Sequence, residues 1–396
     1  MSKNAKAIKL ERLRKRLFSQ YNKEKYLEAA RLGESLLNTY ERFGYTDSAA
    51  FSDDLYNVAI TQAAAGDVDR AIELYTEAIH LTFNYMGAGV SVAAKLTNLA
   101  ALLSEYEQHD SAVRVFMQAL LIRRRILPHN SEETGDSFYN IGKALNLAGR
   151  YREALAYLNS AMHIYAKISG KAPVYCLSAL AYAHENLEEY EEAFRFAEAA
   201  WKGVGSDNAE EHYKSGYYLA NLYESGGFFD KAGEIYLSIL KWVEEMVGKS
   251  HSLYVNIGTK AANMLAQTGD YEQAKAILKD LRESIKEFIG HDNITYSNCT
   301  RNLAVIHRQL EEWEEAEALL GESIIIKKRI VGGHVRDFAS DCMLLLDICV
   351  KSDRAEKAAE ILLSVLMDVP DDDPAFIELL DEMNQVFKDF PENNEL

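Results

Sequence analysis

Proline is scarce in this chain, with 5 in 396 residues, about 1.3% against the usual 5% or so. That excludes Pro-rich linkers and argues against a turn-rich β-sandwich. No stretch approaches the 18 or so uninterrupted apolar residues needed to cross a bilayer. The start, MSKNAKAIKLERLRKRLF, lacks the apolar centre of a secretory signal. The four cysteines, Cys176, Cys299, Cys342 and Cys349, form no CxxC pair. They encode neither a disulfide framework nor a zinc knuckle, and read as buried thiols of a cytoplasmic protein. Positive charge is also short: 43 Lys/Arg stand against 61 Asp/Glu, for a net −18. Such a chain repels phosphate backbones and anionic lipid heads, so neither nucleic acid nor a membrane is an expected partner. The ends differ from this mean. Residues 1–25 hold nine Lys/Arg and two Glu, and residues 366–396 hold ten Asp/Glu and one Lys. Both read as solvated caps, with head-to-tail association or docking of an acidic partner on the N-terminal helix the alternatives.

What is present is a repeat. An alanine recurs three positions after an aromatic or similar residue: Tyr26/Ala29, Val68/Ala71, His109/Ala112, Tyr151/Ala154, Tyr190/Ala193, Phe229/Ala232, Tyr271/Ala274, Trp313/Ala316 and Ala355/Ala358. Successive alanines lie 39 to 42 residues apart. Twelve positions before the marker stands a second small residue: Ala59, Ala100, Gly142, Ala181, Ala220, Ala262 or Ala304. Five before it comes Gly66, Gly149, Gly227 or Gly269, or else Glu107, Glu188 or Glu311. Apolar residues follow four later, as at Tyr75, Phe116, Leu158 and Tyr236.

This pattern predicts pairs of helices of some 14–16 residues, broken by a tight turn. The small residues let the two backbones of a pair approach. The apolar stripe at +4 and +7 is too large for one hairpin to bury, so the pairs must stack. The expected fold is all-α, a solenoid of antiparallel helix pairs with about eight to nine repeats. Leu346 replaces the small residue in the last repeat, and residues 1–20 do not fit the first-helix pattern. Residues 1–366 read as one array, with 1–45 a divergent capping repeat and 367–396 an acidic capping helix and tail. Pro374 to Phe390 reads as a closing amphipathic helix, through Ala375, Leu379, Leu380, Met383, Val386 and Phe387.

Small residue, Gly, aromatic, Ala and Ala in this order resemble the tetratricopeptide repeat pattern, over about residues 21–366. The period of 42 resembles the longer, kinesin-light-chain-like subclass. Its inter-repeat Gly–His signature appears as Gly248–His251, Gly290–His291 and Gly333–His334. One histidine per loop, about 40 residues apart, suits turn formation rather than metal binding. The resemblance implies a right-handed superhelix whose first helices line a concave wall where ligands bind.

No chemistry stands out. Gly87-Ala-Gly89 lacks the strand and third glycine of a dinucleotide loop, Gly142-Lys143 lacks a P-loop glycine, and Asp371-Asp372-Asp373 precedes a proline as a helix cap would. No HExxH and no Ser–His–Asp set can be chosen. Neither an enzyme, a metal nor a cofactor is expected.

The wall positions lie 18, 15, 14, 11, 8 and 7 residues before each marker alanine. Asparagine takes one equivalent position at Asn57, Asn98, Asn140 and Asn302, with Asn221, Asn263 and Asn298 nearby; Tyr139, Tyr182 and Tyr217 add apolar area with a polar tip. An asparagine amide can pair with a peptide backbone without reading its side chains. The alternative is that these amides bond across neighbouring helices and the tyrosines fill the wall. Lys214, Lys260, Arg301 and Arg308 make the later repeats' wall positive and predict a partner segment with acidic side chains; a wall tuned only for solubility is the rival. These fourteen residues are the candidate peptide site. The favoured function is a non-catalytic adaptor holding an extended segment of a protein partner. A peptide-sensing regulator of the bacterial repeat-receptor type and a self-assembling, homo-oligomeric scaffold are the alternatives.

Overall fold

A computed structural model describes residues 3–204, 208–331 and 338–352, with short pieces at 362, 374 and 377–381. The proposed closing helix 374–390, the markers Ala355/Ala358 and the Gly333–His334 pair lie mostly or wholly outside the described residues. Among the described residues all regular structure is helical. The chain forms two compact units, Met1–Glu211 and His212–Leu396.

The first unit holds α1 (Lys3–Tyr21), α2 (Tyr26–Phe43), α3 (Ala49–Ala64), α4 (Val68–Met86), α5 (Val90–Glu105), α6 (His109–Ile126), α7 (Glu132–Leu147), α8 (Tyr151–Ser169), α9 (Val174–Asn186) and α10 (Tyr190–Gly203). The second holds nearly all of α11 (Ala209–Ser225), then α12 (Phe229–Met246), α13 (Ser252–Gln267), α14 (Tyr271–Phe288), α15 (Ile294–Gln309), α16 (Trp313–Val331) and α17 (Ala339–Lys351). Within each unit the helices pack in consecutive pairs, each pair against the next.

The residue three before each marker alanine is the first residue of the second helix, from Tyr26 in α2 to Trp313 in α16. All eight described marker alanines are 0% exposed. Their partners twelve positions earlier are buried as well, and Gly142 shows why they must be small. A Cβ there would lie 2.6 Å from Cγ of Leu158 and 3.3 Å from the carbonyl oxygen of Ala154. In the first repeat Leu17 fills this position, still fully buried.

The turn between the paired helices has one geometry throughout. The residue five before the marker adopts positive φ in every described repeat, at Gly66 (87°), Gly149 (72°), Gly227 (77°) and Gly269 (85°), but also at Glu24 (58°), Glu107 (59°), Glu188 (61°) and Glu311 (60°). Only glycine adopts this left-handed backbone without a Cβ penalty, so the four glutamates carry strain. Second helices run mostly 18–19 residues rather than 14–16, because the long period places an extra turn at their C-terminal ends. Several first helices are capped by side chains: Ser48, Ser131 and Asn293 accept from Phe51, Thr134 and Tyr296 N–H groups. His251 caps α13 in the same way, accepting from the Leu253 N–H, so this loop histidine builds the turn.

The apolar stripe packs as the repeat requires. Ala161 and Tyr165 of α8 are buried against Cys176 of α9, in the following repeat. All four cysteines are buried, and none is in a disulfide. Burial pushes the thiols of Cys176, Cys299 and Cys342 up to about 12, so they stay protonated and unreactive.

Repeats are also tied by charge, one period apart. Arg14 of α1 reaches Asp54 of α3, and Lys95 of α5 reaches Asp53 of α3. Second helices are joined likewise, by Arg70–Glu34 and Arg282–Glu322.

Candidate functional site

First helices α3 to α15 carry all fourteen candidate residues, and none of these is buried: Asn57 on α3, Asn98 on α5, Tyr139 and Asn140 on α7, Tyr182 on α9, Lys214, Tyr217 and Asn221 on α11, Lys260 and Asn263 on α13, and Asn298, Arg301, Asn302 and Arg308 on α15. In the first unit, α3, α5, α7 and α9 carry one wall; in the second, α11, α13, α15 and α17 carry another.

Several candidates are spoken for within the fold. The Asn98 amide donates to the Tyr56 hydroxyl of the preceding first helix. Asn221 accepts from the Tyr236 hydroxyl at 2.8 Å and from Lys260 at 3.1 Å. Lys260 also lies 3.0 Å from Glu224 and over the rings of Tyr217 and Tyr236. Burial disfavours the charged Glu224 carboxylate, but the Lys260 and Tyr236 hydrogen bonds outweigh it and hold its pKa below the ordinary value. Arg301 pairs with Asp341 and Arg308 with Asp347, both on α17.

The expected basic strip is therefore not an open one. Three of its four cations, Lys260, Arg301 and Arg308, are each neutralised by a carboxylate of the neighbouring repeat. An acidic partner side chain would have to displace that carboxylate at each. By contrast, Asn57, Asn140, Asn263, Asn298 and Asn302 make no side-chain hydrogen bond among the described residues and face solvent at least in part.

Between α5 and α7 the first unit's wall opens into a cleft of about 410 Å³. Asn140 and Lys143 line one side, Thr97, Ser104 and Glu105 the other, and Phe116 and Leu147 add apolar surface. The cleft presents hydrogen-bond donors and acceptors beside an apolar patch. Seven of its first-helix residues occupy the wall positions expected from the repeat register: Thr97, Ala101, Ser104, Glu105, Asn140, Lys143 and Leu147. Most were not singled out as binding residues, because register identifies a face without showing where adjacent helices part.

Among the described residues no cluster of three or more His, Cys, Asp or Glu could hold a metal ion. No described helix is long and apolar enough to cross a membrane.

A family model described as a tetratricopeptide repeat matches residues 91–167 and 255–329, which cover α5–α8 and most of α13–α16. Protein HGV2 of Halocynthia roretzi is 30% identical over 93 residues, 24% of this chain; the match spans only 17% of that relative's length. Among solved structures, a Podosopora anserina kinesin-light-chain-type protein of nearly identical TPR-like repeats is 18% identical, with 50% of this chain and 97% of that one covered and a TM-score of 0.43. BtubC (BKLC) of P. vanneervenii is 15% identical over 62% of this chain and 95% of its own, with a TM-score of 0.41. The 39-to-42-residue spacing is that of the longer, kinesin-light-chain-like repeats. The same signature organises both compact units and the family model finds it separately in each, so both units carry tetratricopeptide repeats, a fold that is generally a protein-interaction scaffold.

Proposed function

We propose that this protein is a non-catalytic adaptor that holds an extended segment of a protein partner along its first helices. The observation that supports the reading is the set of asparagines without hydrogen-bond partners among the described residues on the first helices of each unit: Asn57 and Asn140 in the first, Asn263, Asn298 and Asn302 in the second. Each offers two N–H donors and a carbonyl acceptor to a peptide backbone, which suits a ligand held in extended form with little side-chain selection. The cleft beside Asn140 supplies the accompanying side-chain pocket. Its Lys143 and Glu105 accept a polar or charged residue of either sign, so this reading does not require an acidic ligand.

Peptides selected from a random library on the intact chain test the proposal. The double variant Asn57→Ala/Asn140→Ala is expected to weaken the selected peptides about tenfold, or about 1.4 kcal/mol. Asn159→Ala, on second helix α8, is expected to leave binding unchanged. Peptides indifferent to Asn57 and Asn140, or sensitive to Asn159 instead, refute the first-helix wall as the binding face.

A further inference from the structure

A second surface of the first unit departs from the repeat pattern. The second helices α4 and α6 wall a groove of about 480 Å³ whose floor is Val92 and Leu96 of α5. It lies on the opposite side of α5 from the cleft at Thr97 and Glu105. Ile79 and Phe83 of α4 and Leu121 and Ile122 of α6 line it. Phe83 is 51% exposed and Leu121 is 58% exposed, large apolar side chains left in water.

The fold does not require this. Thr76, Ile79 and His80 stand five, eight and nine residues after their marker alanine; the same positions of α14 are Lys279, Arg282 and Glu283. Those three charged residues line a groove of the second unit whose α15 and α16 residues stand at other places in the repeat, and Arg282 is bonded there to Glu322. Twelve after the marker, Phe83 is replaced by Glu41, Arg124, Glu244, Lys286 and Lys328 in five other repeats and by the small Ala166 and Gly205 in two more. A position that is usually charged and solvated has become aromatic here. Burying such side chains against a partner is the ordinary use of an exposed apolar patch.

Charge selects the partner. In a chain of net −18, residues 78–104 contain no Asp or Glu, and neither do residues 111–131. No residue lining the groove is acidic, whereas Arg125 lines it and Arg124 adjoins it. Both arginines make no ion pair among the described residues. The α4 wall runs from Thr76 to Phe83, seven residues or two helical turns, about 11 Å. That length and the paired-helix walls match an amphipathic helix presenting apolar side chains at i, i+3, i+4 and i+7.

We propose that the α4–α6 groove is a docking site for one amphipathic helix of a partner protein, apolar on its inserted face and acidic along its edge. This site is separate from the first-helix wall, so the protein would hold two segments at once.

The test uses the intact chain and two labelled helical peptides with leucine at i, i+3, i+4 and i+7, one flanked by glutamate and one by lysine. Anisotropy is expected to show the glutamate peptide bound at least about tenfold tighter at low salt, with the preference narrowing at high salt. Leu121→Glu and Arg125→Glu, both at exposed positions, are each expected to weaken it about tenfold, while Asn57→Ala/Asn140→Ala leaves it unchanged. Leu121→Ala, which introduces no charge, is expected to weaken both peptides, and thermal melts check that each variant is folded. No binding, equal binding of the two peptides, or indifference to Leu121 overturns the proposal. So does binding of phosphatidylserine vesicles, lost on Leu121→Glu, without binding of either peptide, which would make the face a lipid-contacting one.

Discussion

The Nε of Arg301 lies 2.6 Å from Oδ1 of Asp341, forty residues further along the chain. Asp341 is 0% exposed, and its other oxygen accepts from Lys327 at 2.7 Å and from Ser323 at 3.2 Å. One carboxylate thus joins α15, α16 and α17. Removing one member of a buried ion pair strands the other, at a cost of about 3–5 kcal/mol, whereas an exposed pair contributes about 0–1 kcal/mol. Asp341→Ala is therefore expected to cost several times as much stability in urea unfolding as Asp347→Ala, which breaks the half-exposed pairs to Arg308 and Lys351. Equal costs would show that Asp341 does not anchor this end. The same geometry makes Arg301→Glu a poor probe of binding, since it sets a carboxylate against Asp341.

The glutamates at positive φ give a prediction of opposite sign. Left-handed backbone costs a non-glycine residue about 1–2 kcal/mol, and glycine's added freedom in the unfolded chain returns roughly 0.5–1 kcal/mol of that. Glu107→Gly, Glu188→Gly and Glu311→Gly are each expected to stabilise by a few tenths to about 1 kcal/mol. Gly149→Ala, at the same place in its repeat, is expected to destabilise. Calorimetric melts that move the other way would remove the strain argument.

Two helical glycines separate contact from propensity. Glycine to alanine in a helix interior gains about 1 kcal/mol of propensity. At Gly233 the added Cβ would meet only the Cβ of Met264, at 3.4 Å, so Gly233→Ala is expected to stabilise. At Gly142 it would press on the buried Leu158 and on the backbone, and overpacking costs about 1–3 kcal/mol, so Gly142→Ala is expected to lower the unfolding midpoint. The same sign at both sites would contradict the close approach of α7 and α8.

Acidification has its own signature in the second unit. Burial lowers the pKa of His307 and of His212 below the ordinary histidine value. At neutral pH both folded and unfolded forms are neutral, and nothing is lost. As pH falls below about 6.5 the unfolded imidazole binds a proton first, so folding weakens. Leucine occupies the place of His307 in three other repeats, as Leu103, Leu145 and Leu265. His307→Leu is thus expected to be tolerated and to flatten the loss of stability between about pH 7 and about pH 5.5. An unaltered pH profile in urea melts would count against it.

Much of the fold was legible in spacing. The marker alanines located the start of every described second helix, and a Gly-or-Glu alternation pointed to the turn. Such features repeat because each unit solves one packing problem. Wall residues were legible as a face, but their partners were not. The wall register includes Arg301 but not Asp341, whose carboxylate reaches across from a buried position. Asn98 and Asn140 are equivalent in register, yet only Asn98 meets a tyrosine on the previous first helix. Contacts between repeats depend on which residue the neighbour happens to carry, and a consensus averages that away. Residues such as Phe83 and Leu121 stood out only once burial was known, since a lone apolar residue is ordinary on any surface.

The charged ties described above run from one repeat to the adjoining one, and stability built that way is held link by link. Loosening one link frees the pair beyond it before it troubles the rest, so each compact unit should come apart from an end, as a zipper does. Hydrogen exchange would register this as a gradient of protection, lowest in the outermost helix pairs and highest in those flanked on both sides.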